Sequence, residues 1–90
     1  MYLHLGQDTV VKMDEIVGIF DLENSTISKL TRDYLARAEK GGRVVNVSME
    51  LPKTFILCAD KNARNTVYLS QISCATLLKR THYISSIANQ

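Results

Sequence analysis

The sequence predicts an α+β fold, a small and mainly antiparallel sheet of about six short strands with two helices in the order β-β-β-α-β-β-β-α. Three observations predict it. Short runs rich in Val, Ile, Leu and Thr recur along the chain and either alternate with polar residues or are almost wholly apolar, as strands are. Two longer stretches, one ending at Gly41-Gly42 and one opening at Ser73, show helical spacing and helix-end residues instead. Ninety residues, 46% hydrophobic and 22% charged with only one Pro, suit one compact domain rather than a disordered chain.

Tyr2 to Leu5 alternates, with Leu3 and Leu5 on one face. Gly6, Gln7 and Asp8 then supply a turn before Thr9 to Lys12, so the chain opens as an antiparallel hairpin. Met13, Asp14 and Glu15 break the run. Ile16 to Phe20 is nearly all apolar and β-branched, which predicts a strand buried on both sides, with Gly18 marking a bulge or a close backbone approach. Asp21 to Ser25 is polar and leads into TISKLTRDYLARAEKGG, a helix with Ile27, Leu30, Tyr34 and Ala38 on its inner stripe and Leu35 widening it. Asn24 or Ser25 suits the cap, Arg37 and Lys40 suit the negative end of the helix dipole, and Gly41 suits the left-handed stop. Lys29, Arg32, Arg37 and Lys40 do not make a clean basic stripe, because Asp33 and Glu39 interrupt it.

Arg43 to Val47 is again β-like, Ser48 to Lys53 is a polar loop broken by Pro52, and Thr54 to Ala59 is an apolar strand. DKNARN, Asp60 to Asn65, has turn composition, and Thr66 to Ser70 returns with Val67 and Leu69 opposite Tyr68 and Ser70. Ser73 then caps a helix that turns Cys74, Leu77 and Leu78 inward and carries Lys79, Arg80 and His82 toward its end. Residues 1–82 form one α+β domain, and 83–90 read as a tail that docks or frays.

Little in the chain suits catalysis. His4 and His82 have no evident carboxylate partner, Cys58 and Cys74 sit in apolar runs that raise a thiol pKa, and no His, Cys and carboxylate cluster has ligand spacing. The expectation is a non-enzyme without metal or cofactor. The opening residues lack the basic and apolar regions of a secretion signal, and no window approaches about 18 uninterrupted apolar residues, so the expected location is the cytoplasm, away from membranes.

Charge is more informative. Residues 1–52 carry six Lys/Arg against eight Asp/Glu, whereas residues 53–90 carry five against one. Lys53, Lys61, Arg64, Lys79 and Arg80, with Arg43 from the preceding strand, are the candidates for neutralising nucleic-acid phosphates, and Asn62, Asn65 and Thr54 are neutral donors beside them. A monomer with so few contacts would bind weakly, whereas a ring of subunits would repeat the patch. The alternative from the same charges is a protein-interaction or scaffolding subunit whose basic half meets an acidic partner. Binding of single strands through Tyr2, Tyr68 or Tyr83 is a lesser option, since these aromatics do not cluster along the sequence.

The opening MYLHLGQDTVVKMDEIVGIFDLENS, then PKTFIL, and above all VYLSQISCATLLKR resemble the RemA/RemB-like family of small bacterial extracellular matrix regulators, closest to the RemB branch. The resemblance runs from Tyr2 to about Arg80. It implies a cytoplasmic homo-oligomer, a ring as in the RemA branch, that binds duplex DNA and regulates transcription of matrix or biofilm genes. One departure stands out. RemA-type chains carry consecutive arginines in the loop before the strand matching Thr54 to Ala59, where this chain reads MELPKT. Either that loop does not bind DNA, or the contacts have moved to Lys61, Arg64, Lys79 and Arg80.

Overall fold

The computed structural model describes residues 1–23 and 28–88, those from 82 onward as helix backbone alone. Six strands and two α-helices follow one another in the expected order: β1 Tyr2–Gly6, β2 Thr9–Lys12, β3 Ile16–Asp21, α1 Lys29–Lys40, β4 Val44–Asn46, β5 Thr54–Ala59, β6 Asn65–Ser70 and α2 Cys74–Ala88. A single 3-10 turn at Met13–Glu15 links the hairpin to β3.

The strands make two sheets, not one. β1 and β2 form a separate antiparallel hairpin, and the remaining four form a sheet in the order β3-β5-β6-β4. In this sheet β5 pairs antiparallel with both β3 and β6, as expected, but β4 lies parallel to β6. The cause is topological. β4 and β5 are left one strand-width apart by the long 47–53 crossing, and the tight turn after β5 sends β6 back into that gap. A strand antiparallel to β5 at that place has to run the same way as β4.

Alternation along β5 sends Ile56 and Cys58 to one face of the sheet and Phe55 and Leu57 to the other. On the first face the hairpin supplies Leu3, Leu5 and Val11, and α2 supplies Leu77, all buried. On the second, Tyr34, Leu35 and Ala38 of α1 cover Phe55 and Val67. The result is three layers, with each fully buried Leu, Ile or Val adding about 1.5–3 kcal/mol of transfer free energy. Two fully buried hydroxyls tie the layers together. Ser70 Oγ donates to the Leu5 carbonyl at 2.6 Å and accepts from the Ile72 amide, while Thr54 Oγ1 donates to the Ile72 carbonyl at 2.7 Å.

Several details differ from what the sequence suggested. β3 is an edge strand, so Val17 is 62% exposed and Phe20 is only partly covered, by a stacked Phe55 ring at 4.6 Å. Gly18 does sit at a register shift, and the Phe20 ring folds over it where a Cβ would lie 2.6 Å away. The cap of α1 is Ser28, whose Oγ accepts from the Thr31 amide; Asn24, Ser25 and Ile27 fall outside the described residues. Leu30 is 80% exposed, standing at the rim of an open apolar pocket that it shares with Phe20, Phe55 and Leu57 of the sheet. The left-handed residue is Gly42 (φ +69°), not Gly41. In α2, Leu77 points inward but Leu78 is half exposed, and the helix continues through Ala88.

Candidate nucleic-acid interface

Two local structures bring basic side chains to the same end of the sheet. The first is the end of α1. Gly42 in the left-handed region lets its amide bond the Glu39 carbonyl and lets the Arg43 amide reach back to the Ala38 carbonyl at 2.9 Å. Arg43 O then accepts from Val67 N at 2.8 Å, so both backbone polar groups of Arg43 are fixed between helix and sheet.

The second is the turn between β5 and β6. Asp60 organises it: its Oδ1 accepts from the amides of Asn62 and Arg64 at 2.8 and 2.9 Å, and its backbone bonds Ala63 and Arg64. Ala63 takes a left-handed φ of +60°, which closes the turn. Lys61 and Asn62 are left exposed at the tip, with Arg64 at the return.

Between these structures lies a concavity of about 640 Å³. Arg43 and Arg64 line it, together with Val45, Asn65, Thr66 and Tyr68, and Gly42 and Ala63 complete it. Among the described residues, no hairpin or α2 side chain lines it. No carboxylate lines it. Burial, with the charges near Cys58 and Glu15, pushes the Tyr68 hydroxyl up from its ordinary range, so Tyr68 is neutral at physiological pH.

The other candidates lie elsewhere. Lys53 is exposed at the opposite end of the sheet, where its amide bonds the Ser70 carbonyl. The six residues of β6 put about 17–20 Å between that end and Arg64. Lys79 and Arg80 belong to α2, and the Arg80 guanidinium is committed to the His4 carbonyl at 3.0 Å, joining α2 to the hairpin. Thr54 is not a surface donor, since it is buried and bonded to Ile72. His4 is exposed, with Nε2 on the Gln7 carbonyl at 2.7 Å, and the side chains of His82 and Tyr83 fall outside the described residues. Within one subunit, then, the structure gathers Arg43, Lys61 and Arg64 and separates them from Lys53, Lys79 and Arg80.

Sequence reasoning missed two features. Val45, Thr66 and Tyr68 share the floor of the concavity because β4 and β6 pair in parallel, Val45 opposite Tyr68. Neither strand's own pattern signals this. The loop after β4 is less polar than it reads, since Met49 and Leu51 are 104% and 89% exposed, large apolar side chains with nothing over them. Among the described residues, no group of three His, Cys, Asp or Glu side chains is placed to hold a metal ion, and no helix is long and apolar enough to cross a membrane.

Comparison with known proteins gives two matches. Residues 2–81 match the RemA-like family, described as extracellular matrix regulatory protein A-like. The chain is 32% identical over 87 residues to extracellular matrix regulatory protein B of Bacillus subtilis (strain 168), covering 97% of this chain and 98% of that protein.

Proposed function

The chain belongs to the RemA-like family of extracellular matrix regulatory proteins, and from that membership and its surface we propose that it is a cytoplasmic, DNA-binding regulator of matrix or biofilm genes that works as a closed homo-oligomer. The observation that carries the reading is the lining of a concavity at one end of the sheet by Arg43 and Arg64, without a carboxylate, and with Lys61 exposed on the adjoining turn. Guanidinium and ammonium groups there neutralise phosphates, with Asn62 and Asn65 as neutral donors. Three contacts per subunit make a weak binder. Repetition around a ring converts them into useful affinity without any new chemistry. Recognition of this kind follows backbone shape more than base identity.

The test is binding of the assembled protein to duplex DNA across a salt series. Affinity should fall steeply with salt, and Arg64→Gln should lower the slope of log K against log salt by about one unit while Lys53→Gln leaves it unchanged. Absence of binding at low salt would sink the reading. The alternative, an acidic protein partner on the same arginines, predicts a complex that survives nuclease and an oligomer indifferent to DNA.

A further inference from the structure

We propose that the concavity between α1 and the β5–β6 turn is a binding site for a small nucleotide, a phosphate joined to a planar base, and that occupancy competes with DNA. The first half stands on the concavity alone; the second rests on the DNA reading.

Its chemistry is two-part. Arg43 and Arg64 flank the space from opposite sides, one held at the end of a helix and the other by the Asp60 turn. Two guanidiniums around one gap suit a phosphate, whose oxygens accept from both planes at once. Between them the floor changes character. Val45 of β4, 40% exposed, and Tyr68 of β6 form an apolar and aromatic strip with no helix over it. A flat ring laid on that strip covers apolar surface that the fold leaves open. Thr66 and Asn65 supply hydrogen-bonding groups at the boundary between the two parts.

Charge and size select this ligand class. The lining has two positive groups and no negative one, which excludes cations, and the Asp60 carboxylate nearby is bonded to the turn's own amides. About 640 Å³ falls within the range of small-molecule and cofactor sites, and it is far more than an isolated inorganic anion needs. The lining itself orients the ligand, with the phosphate toward Arg43 and Arg64 and the uncharged base on Val45 and Tyr68.

Isothermal titration of the full chain with adenosine 5′-monophosphate, with adenosine and with inorganic phosphate tests the proposal. The nucleotide should bind at least about tenfold more tightly than either part, and Arg43→Gln and Arg64→Gln should each weaken it by about tenfold or more, the usual size of one charge-assisted contact. Arg64 is exposed on a turn, so its variant is expected to keep the wild-type thermal midpoint, and Lys53→Gln should bind normally. Nucleotide binding no tighter than phosphate, or unchanged in both arginine variants, overturns the site. DNA binding in a parallel gel shift without nucleotide binding also overturns it and leaves the DNA reading standing. Nucleotide binding at these arginines without DNA binding does the reverse, and displacement of DNA by the nucleotide supports both.

Discussion

Cys58 shows how a single side chain reports its surroundings. It is a free thiol, buried on the hairpin face of β5, and burial, with Glu15 adding to it, pushes its pKa up to about 11. In the unfolded chain the same thiol ionises near 9.0. Between these values the folded state holds the proton more tightly, so the contribution to stability is complete below pH 9 and is lost as pH rises toward 11. Thermal melts should therefore show a larger loss between pH 9 and 11 for the wild type than for Cys58→Ala, whose overall stability is lower by about 1–2 kcal/mol from the small cavity. Tyr68 is also shifted upward, in part by Cys58, so the part of its contribution that depends on the thiol disappears in Cys58→Ala and adds to the difference in the same direction. The thiol's burial was legible in the sequence from its apolar neighbours Ile56 and Leu57. The role of Thr54 was not, because a threonine at the start of a strand looks the same whether its hydroxyl meets water or a buried carbonyl.

Elements are held together here by few polar bonds, some buried and some exposed. The hairpin shares no strand pairing with the four-stranded sheet. Besides apolar packing, its fixed points are Ser70 Oγ on the Leu5 carbonyl and the Arg80 guanidinium on the His4 carbonyl. Ser70→Ala leaves the Leu5 carbonyl and the Ile72 amide without that hydroxyl, and should cost about 1–3 kcal/mol by denaturant unfolding, whereas Ser73→Ala at the exposed cap of α2 should cost about 1 kcal/mol. At this scale the sequence was most informative. Alternation located the strands, Ser73 marked the start of α2, and the glycine pair marked the end of α1. It erred where partners decide. Ile16 to Phe20 has the composition of a central strand, but its position at the sheet edge comes from how β5 and β6 pair, far along the chain. Leu30 fits a helical stripe by number, yet it stays exposed at the rim of a pocket over Phe20 and Phe55 that α1 does not fill.

For the whole molecule, the surface divides into a basic end and scattered apolar prominences. Met49 and Leu51 stand exposed on the 47–53 crossing, and in the proposed homo-oligomer they are the apolar groups a neighbouring subunit would cover. Replacing both with Ser should shift the protein toward monomer in sedimentation or light scattering, without reducing the helix content of each subunit. DNA affinity should then fall more than the loss of any one basic contact would explain, because the repeated edge is gone. The basic residues of the candidate site, Arg43, Lys61 and Arg64, could all be read from the sequence as candidates, but which of the six candidates would meet could not. Arg43 joins the other two only through the parallel β4–β6 pairing, which no local pattern encodes. That insertion of β6 also sets an order of events during synthesis. β4 leaves the ribosome well before its only neighbour in the sheet, and the surface that α1 must cover is built largely from β5 and β6. β3, α1 and β4 therefore wait without a template while the β1–β2 hairpin can close on its own. The edge that brings Arg43 beside Arg64 forms only when β6 pairs with β4, so under the proposed function a chain able to engage phosphate is one whose sheet is complete.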